Sequence, residues 1–323
     1  MTPFITRYAG WALLCVLGAS AQGAESNFPQ RAVRIVVPFA PGGGTDLLAR
    51  TLAAKLSAAW SQQVVVDNRP GGGTVIGSDL VAKSAPDGHT LLLTANTHTT
   101  NPALHAKLPY DTLRDFAGVT QIAAAPMVLT THPGLPVRNV RELIALAKAR
   151  PGQLAFATSG NAGPQHLAGE SFKTLAGISM VHVPYKGSAP AITDLIAGQT
   201  QLTFGSTFTV LPHANSGRLR ALAVTTAKRV PALKLPTIAE DGLPGYEATT
   251  WYGIFTVGGT PAGVVTRLHA DIARALKLPD VAERLARDGS DAVASEPAAF
   301  DGFIRAEIDK VRKIVRAAGM KLD

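Results

Sequence analysis

A chain of 323 residues that is 46% hydrophobic and 17% charged is globular material long enough for two domains, which excludes a disordered or fibrous protein. Its formal charge of 31 − 23 = +8 favours encounter with anionic solutes. The Lys and Arg residues are scattered, however, and aromatics make up only 6%, so nucleic acid is excluded as a partner.

In chain order, Arg7 precedes an apolar stretch, Ala9 to Ala19, followed by small residues at Ala19, Ala21 and Ala24. This is the pattern of a cleaved secretory signal over residues 1–24, and the stretch is shorter than the ~20 residues a bilayer span needs. The single cysteine, Cys15, lies inside it behind Leu14, where a lipoprotein processing site would require a small residue. Cleavage after Ala21 or Ala24 leaves a soluble, cysteine-free periplasmic chain of charge 30 − 23 = +7, without disulfides, thiolate nucleophiles or Cys-bound metal.

Beyond the signal, short apolar runs alternate with helical spacing, the signature of α/β architecture. Strands are predicted at Arg34 to Phe39, Val64 to Val66, Leu91 to Thr94, Met127 to Thr131, Leu154 to Ala157, Val181 to Tyr185, Gln201 to Gly205, Leu219 to Val224 and Trp251 to Val257. Leu48, Leu52 and Leu56 share one helical face; Val140, Leu143, Ile144 and Ala147 share another. Phe300, Ile304, Ile308, Val311 and Val315 mark a terminal helix. Turn-rich segments near Asp115 to Pro126 and Lys228 to Pro244 read as two crossings between lobes.

The first predicted strand ends in Pro41-Gly42-Gly43-Gly44-Thr45-Asp46. A P-loop is excluded, because Thr45 and Asp46 stand where Lys and Ser or Thr belong. A dinucleotide fingerprint fails at Leu47, and fails again at Ile76 when counted from Gly71 and Gly73. Two interpretations remain: a tight turn, or glycines that bring the backbone close to an anion at a helix start, with Thr45 or Asp46 as N-cap. Thr158 to His166 repeats the pattern after a later strand, so two helix starts can converge.

Longer strings carry a resemblance: FPQRAVRIVVPFAPGGGTDLLAR, VVVDNRPGGGTVIGSDLVAKSAPDGHTLLL, THTTNPAL, VHVPYKGSAPAITDLIAGQ and TIAEDGLPGYEATTWYGIF. In this order, and from about Phe28 to the C-terminus, the chain resembles the Bug family of extracytoplasmic solute-binding proteins, the solute receptors of tripartite tricarboxylate transporters. The resemblance implies a two-lobed periplasmic binding protein fold (Venus flytrap, type II) with two crossings. Lobe 1 would comprise residues 25–124 plus 235–323, and lobe 2 residues 125–234. It also implies a monomer with a small carboxylate ligand, no catalysis, no cofactor and no metal. The partner is either the membrane permease subunits of the transporter or a sensor kinase.

Carried over position by position, the resemblance implies ligand contacts at Gly43, Gly44, Thr45 and Asp46, and at Asn96, Thr97 and His98 ahead of Asn101-Pro102. From lobe 2 it implies Thr158, Ser159 and Asn161, then Gly187 and Ser188 after Lys186, and Ser206. Many members place Phe-Asp where this chain has Phe204-Gly205, and the missing carboxylate argues against an amino-acid ligand. His166 is either a ligand donor or a histidine satisfied within its lobe; Lys186 is either a solvated charge or a closing contact. Trp251 and Tyr252 are either an aromatic wall for a flat ligand or core.

Against these stands a secreted α/β enzyme. The chain has no Gly-x-Ser-x-Gly elbow and no His-Glu-x-x-His helix, and its eight histidines lack ligand spacing.

Overall fold

The computed structural model describes residues 28–317 apart from 162 and 288; the signal segment expected over residues 1–24 lies outside them. Strands and helices alternate from the start: β1 (Val33–Val37), α1 (Gly44–Trp60), β2 (Val64–Asn68), α2 (Val75–Ala82), β3 (Thr90–Ala95), α3 (Thr97–Leu104) and β4 (Phe116–Thr131). There follow α4 (Val140–Ala149), β5 (Ala155–Thr158), α5 (Pro164–Ala176), β6 (Val181–Pro184), α6 (Ser188–Ile196), β7 (Leu202–Ser206), α7 (Thr207–Asn215) and β8 (Arg220–Val224). The chain closes with β9 (Thr249–Val257), α8 (Ala262–Leu276), α9 (Pro279–Arg287), β10 (Asp291–Ala292) and α10 (Pro297–Ala317).

The helices form where the sequence supplies an apolar face and a start signal. In α1 the buried Leu48, Leu52 and Leu56 follow the helical period, and Asp46 in the first turn complements the helix dipole. The N-cap is Gly43 in extended conformation, not Thr45 or Asp46 as expected. In α4 the Asn139 side chain accepts from the Glu142 amide, and Glu142 accepts in return from the Arg138 amide at 2.6 Å, so two otherwise unpaired donors are satisfied.

Strand order is β2-β1-β3-β9-β4-β7-β5-β6, with β10 and β8 also paired to β4. The long β4 joins the halves. Its residues 116–126 pair antiparallel with β9, while residues 127–131 pair with β7 and β8. Within the segment Asp115 to Pro126, residues 116–126 are therefore strand, where a turn-rich crossing is expected from sequence. Register shifts between Gly118 and Thr120 and between Gln121 and Ala123 break its alternation, and this hides the strand from a period-two search.

The return crossing runs from Thr225 to Ala248. It clasps β4, since the Thr225 amide and hydroxyl both donate to the Met127 carbonyl and the Met127 amide donates to the Thr225 hydroxyl. Helices cover both faces of each half. Leu48, Leu52, Leu268 and Ile272 pack on one face of the first half, and Phe255, Phe300 and Ile304 on the other. In the second half, Phe156, Phe172 and Phe204 pack on one face, with Ile192, Leu195 and Val210 opposite. Ile238, Leu243 and Tyr246, taken with lobe 1 on sequence, pack with Phe156 and Phe204.

Candidate ligand-binding site

The halves meet where their helices begin. The Ala40 amide donates to the Lys186 carbonyl at 3.1 Å across the divide. Gly187 has φ +138°, and a Cβ there would lie 2.8 Å from that of Ala40, so the seam requires glycine.

Beside this seam lies a small inner cavity of about 30 Å³, lined by Gly43, Gly44, Thr45, Ser159, Gln165, Ser188, Ser206, Thr250 and Tyr252, with Phe39, Ala95, Met127 and Pro164 as its apolar wall. Four helices begin on it: α1 at Gly44, α5 at Pro164, α6 at Ser188 and α7 just after Ser206. The first backbone amides of a helix have no acceptor within it, so each start offers donors and a partial positive charge. Among the described residues, no charged side chain lines this cavity. An occupant with acceptor oxygens would meet hydroxyls, an amide and helix starts.

Gly44 is packed against the cavity floor. A Cβ on it would stand 2.9 Å from the Tyr252 hydroxyl and 3.0 Å from the Ser206 hydroxyl, which themselves are hydrogen-bonded at 3.0 Å, Tyr252 donating. Ser206 belongs to β7 and Tyr252 to β9, so this bond links the halves. Gln165 holds the opposite loop by accepting from the Ser159 amide at 2.5 Å.

A second, outer chamber of about 500 Å³ adjoins the first, sharing Phe39 and Ser159. Thr97, Asn161 and Lys186 line it, facing Gly71 to Thr74.

Of the residues expected to contact ligand, Gly43, Gly44, Thr45, Ser159, Ser188 and Ser206 come together on the inner cavity, and Thr97, Ser159 and Asn161 on the outer chamber. Five lie on neither. Asp46 is buried and accepts from the Gly42 amide, Arg50 and Asn68, so it closes the glycine loop from behind. Burial would raise its pKa, but those hydrogen bonds outweigh burial and hold the carboxyl below its usual range. Asn96 ties β3 to β9, accepting from the Thr250 hydroxyl and the Trp251 amide at 3.0 Å each and donating to the Thr249 carbonyl. His98 is buried against Phe116 and Phe255, both ring nitrogens without a partner in the described structure, and desolvation pushes its pKa down to about 3. Thr158 donates to the Gly160 carbonyl and lies 2.7 Å from His182 Nε2; Gly187 forms the seam.

His166 stacks on His182 at 3.8 Å and lies within its own lobe. Burial lowers the pKa of both rings, that of His182 to about 3. Lys186 is exposed. The pair Trp251-Tyr252 splits by strand alternation: Trp251 packs against Phe300 and Phe303 in the core, while Tyr252 faces the cavity. Gln165 and Thr250 are cavity residues that sequence reasoning did not place there, while of the two alternatives left open for Tyr252 the cavity wall is the one its position matches. Alternation along β9 is the signal that separates Thr250 and Tyr252 from Trp251.

A profile described as "Tripartite tricarboxylate transporter family receptor" matches residues 48–320. The chain belongs to this receptor family. It is 38% identical to BugT of Bordetella pertussis over 314 residues, 96% of each chain, so the Bug resemblance holds. Among solved structures, this receptor is similar to Rpa4515 of R. palustris with adipate, at 39% identity and TM-score 0.88, covering 91% of this chain and 99% of that one. It is similar too to MatC of Rhodopseudomonas palustris with bound malate, at 30% identity and TM-score 0.85, covering 89% and 100%. The fold is thus that of the periplasmic solute-binding receptors, two-lobed α/β with the two crossings described above. Among the described residues, no helix of this receptor is long and apolar enough to cross a membrane, and no group of three or more His, Cys, Asp or Glu is placed to hold a metal.

Proposed function

We propose that this receptor is a non-catalytic periplasmic protein that encloses a small organic carboxylate between its lobes and delivers it to the membrane subunits of a tripartite tricarboxylate-type transporter. The observation that carries this proposal is the convergence of four helix starts, one from the first half and three from the second, on a cavity walled by neutral donors. The adipate and malate named in the two similar structures are acids of the proposed kind.

The magnitudes are of the required order. Four helix starts at ~0.3–1 kcal/mol each contribute about 1–4 kcal/mol, and micromolar binding needs ~8 kcal/mol. Two or three direct hydrogen bonds to an ionised group, at ~1.5–3 kcal/mol each, supply the rest. Thr45, Ser188 and Ser206 are the proposed side-chain donors, with the amides of the Gly43-Gly44 and Ser159 segments. The cavity has no carboxylate to meet an ammonium, so amino acids are disfavoured.

Lobe 1 is proposed to comprise residues 28–126 and 249–317 and lobe 2 residues 127–248, because Ile238, Leu243 and Tyr246 belong to the second core. The Met127-Thr225 clasp is the proposed hinge. Binding then proceeds by closure, the ligand favouring the closed state through contacts to both lobes.

The test is a thermal-shift screen of the mature chain against mono-, di- and tricarboxylates and amino acids. A ligand at ~100 times its Kd adds ~2.7 kcal/mol of stability, so a shift with carboxylates alone is the expected outcome. Tight binding of aspartate or glutamate would sink the amino-acid exclusion. Turnover of a bound acid would sink the receptor function.

A further inference from the structure

The inner cavity and the outer chamber differ in size by more than tenfold, about 30 Å³ against about 500 Å³. At roughly 10–15 Å³ for each water-sized sphere, the inner space takes two such spheres, the bulk of the two oxygens of one carboxylate. Small-molecule sites span ~300–1,000 Å³. The outer chamber alone reaches that range, and it adjoins the inner cavity at Phe39 and Ser159, which line both.

Their walls differ in kind as well. The inner cavity is ringed by helix starts and hydroxyls, a head-group site for an ionised acid. The outer chamber is walled mainly by proline, glycine and backbone; among the described residues Lys186 is its one cation and no carboxylate lines it. The Tyr185 hydroxyl on that wall is already taken by Asp194 at 2.7 Å, whereas His105 Nε2 is buried without a partner in the described structure. Lys186 is exposed, so it adds a modest preference for negative charge rather than a clamp.

We infer that the ligand is an elongated acid: one carboxylate docks in the inner cavity while the hydrocarbon body, ending in a neutral or anionic group, lies in the outer chamber. This rests on the proposed receptor function and narrows its substrate class to long α,ω-diacids and comparable acids over compact ones. A compact acid docks one carboxylate in the head-group site and leaves most of the outer walls uncovered.

Calorimetric titration of the mature chain with succinate, adipate and suberate tests this. Each methylene newly buried in the outer chamber tightens binding about fourfold, so adipate is expected to bind tenfold or more tighter than succinate, and suberate tighter again. Pro184→Trp, at an exposed rim position of the chamber, should weaken suberate at least tenfold and leave succinate within about twofold. Lys186→Gln should weaken adipate roughly two- to fivefold and leave hexanoate unchanged. Succinate binding tightest, or Pro184→Trp weakening every acid equally, overturns the two-chamber inference while leaving the receptor function standing. A wild-type chain that binds none of these acids overturns both.

Discussion

Two segments of lobe 1 match the family pattern for ligand loops equally well, and they do opposite work. Gly43 to Thr45 presents backbone and one hydroxyl to the cavity. Asn96 to His98 turns inward: Asn96 spends its amide on β9, His98 is sealed among aromatics, and only Thr97 reaches the outer chamber. The difference lies in where polarity is anchored. A helix start leaves its first amides without an acceptor inside the helix, while Asp46 braces the loop from behind by accepting from the Gly42 amide. A side chain with hydrogen-bonding capacity is instead claimed by whichever backbone group lies nearest.

The comparison breaks most decisively at Gly44. Gly44→Val places a branched side chain where even a Cβ is 2.9 Å from the Tyr252 hydroxyl. Carboxylate affinity should fall a thousandfold or more, about 4 kcal/mol, with the circular-dichroism spectrum preserved; near-normal affinity would reduce this loop to a turn.

Asn96→Ala should act on the fold instead. It strips partners from the Trp251 amide and the Thr250 hydroxyl, costing about 3 kcal/mol and lowering Tm by roughly 6–12 °C, while affinity at a temperature where the protein is folded changes little. A large affinity loss without a Tm change would return Asn96 to the ligand site.

The effect of His98 depends on pH. Its folded pKa of about 3 lies below the ordinary 6.5, so the unfolded chain binds more protons between those values. The stability present above pH 6.5 is lost as pH falls toward 3. His98→Phe removes this loss, and its stability relative to wild type should rise by about 2 kcal/mol between roughly pH 7 and pH 5. Urea titrations at both values decide it, since His182 contributes alike to both proteins. An equal difference at the two pH values would mean that His98 is not held neutral by burial.

Thr45→Ala gives the smallest effect. Losing one hydroxyl donor at the cavity should weaken carboxylate binding about fivefold, ~1 kcal/mol, with Tm unchanged because Gly43 is the N-cap. A fall in Tm without weaker binding would make Thr45 a structural residue.

Much of the fold was legible from sequence. All nine expected strands appear, because apolar runs bounded by Gly, Pro and Asp are local signals. The start of β4 was not legible, since its bulges shift the side-chain period twice. The site was half legible. Glycine and hydroxyl positions at helix starts came from local pattern and family resemblance together, whereas Gln165 was passed over inside the marked Thr158 to His166 stretch, Thr250 was not marked at all, and Tyr252 stayed undecided between ligand wall and core until strand alternation placed it.

The sequence by itself determined the alternation of strand and helix, the glycine-rich helix starts and the receptor family, since backbone preference and hydrophobic period act over a few residues. Only the tertiary structure decided which polar groups face the ligand. Asn96 meets its partners 154 and 155 residues away, and Tyr252 meets Ser206 across 46. A buried donor or acceptor favours whatever partner the fold brings nearest, because leaving it unpaired costs more than the bond yields, and where the fold brings none, as at His98, the ring is held neutral instead.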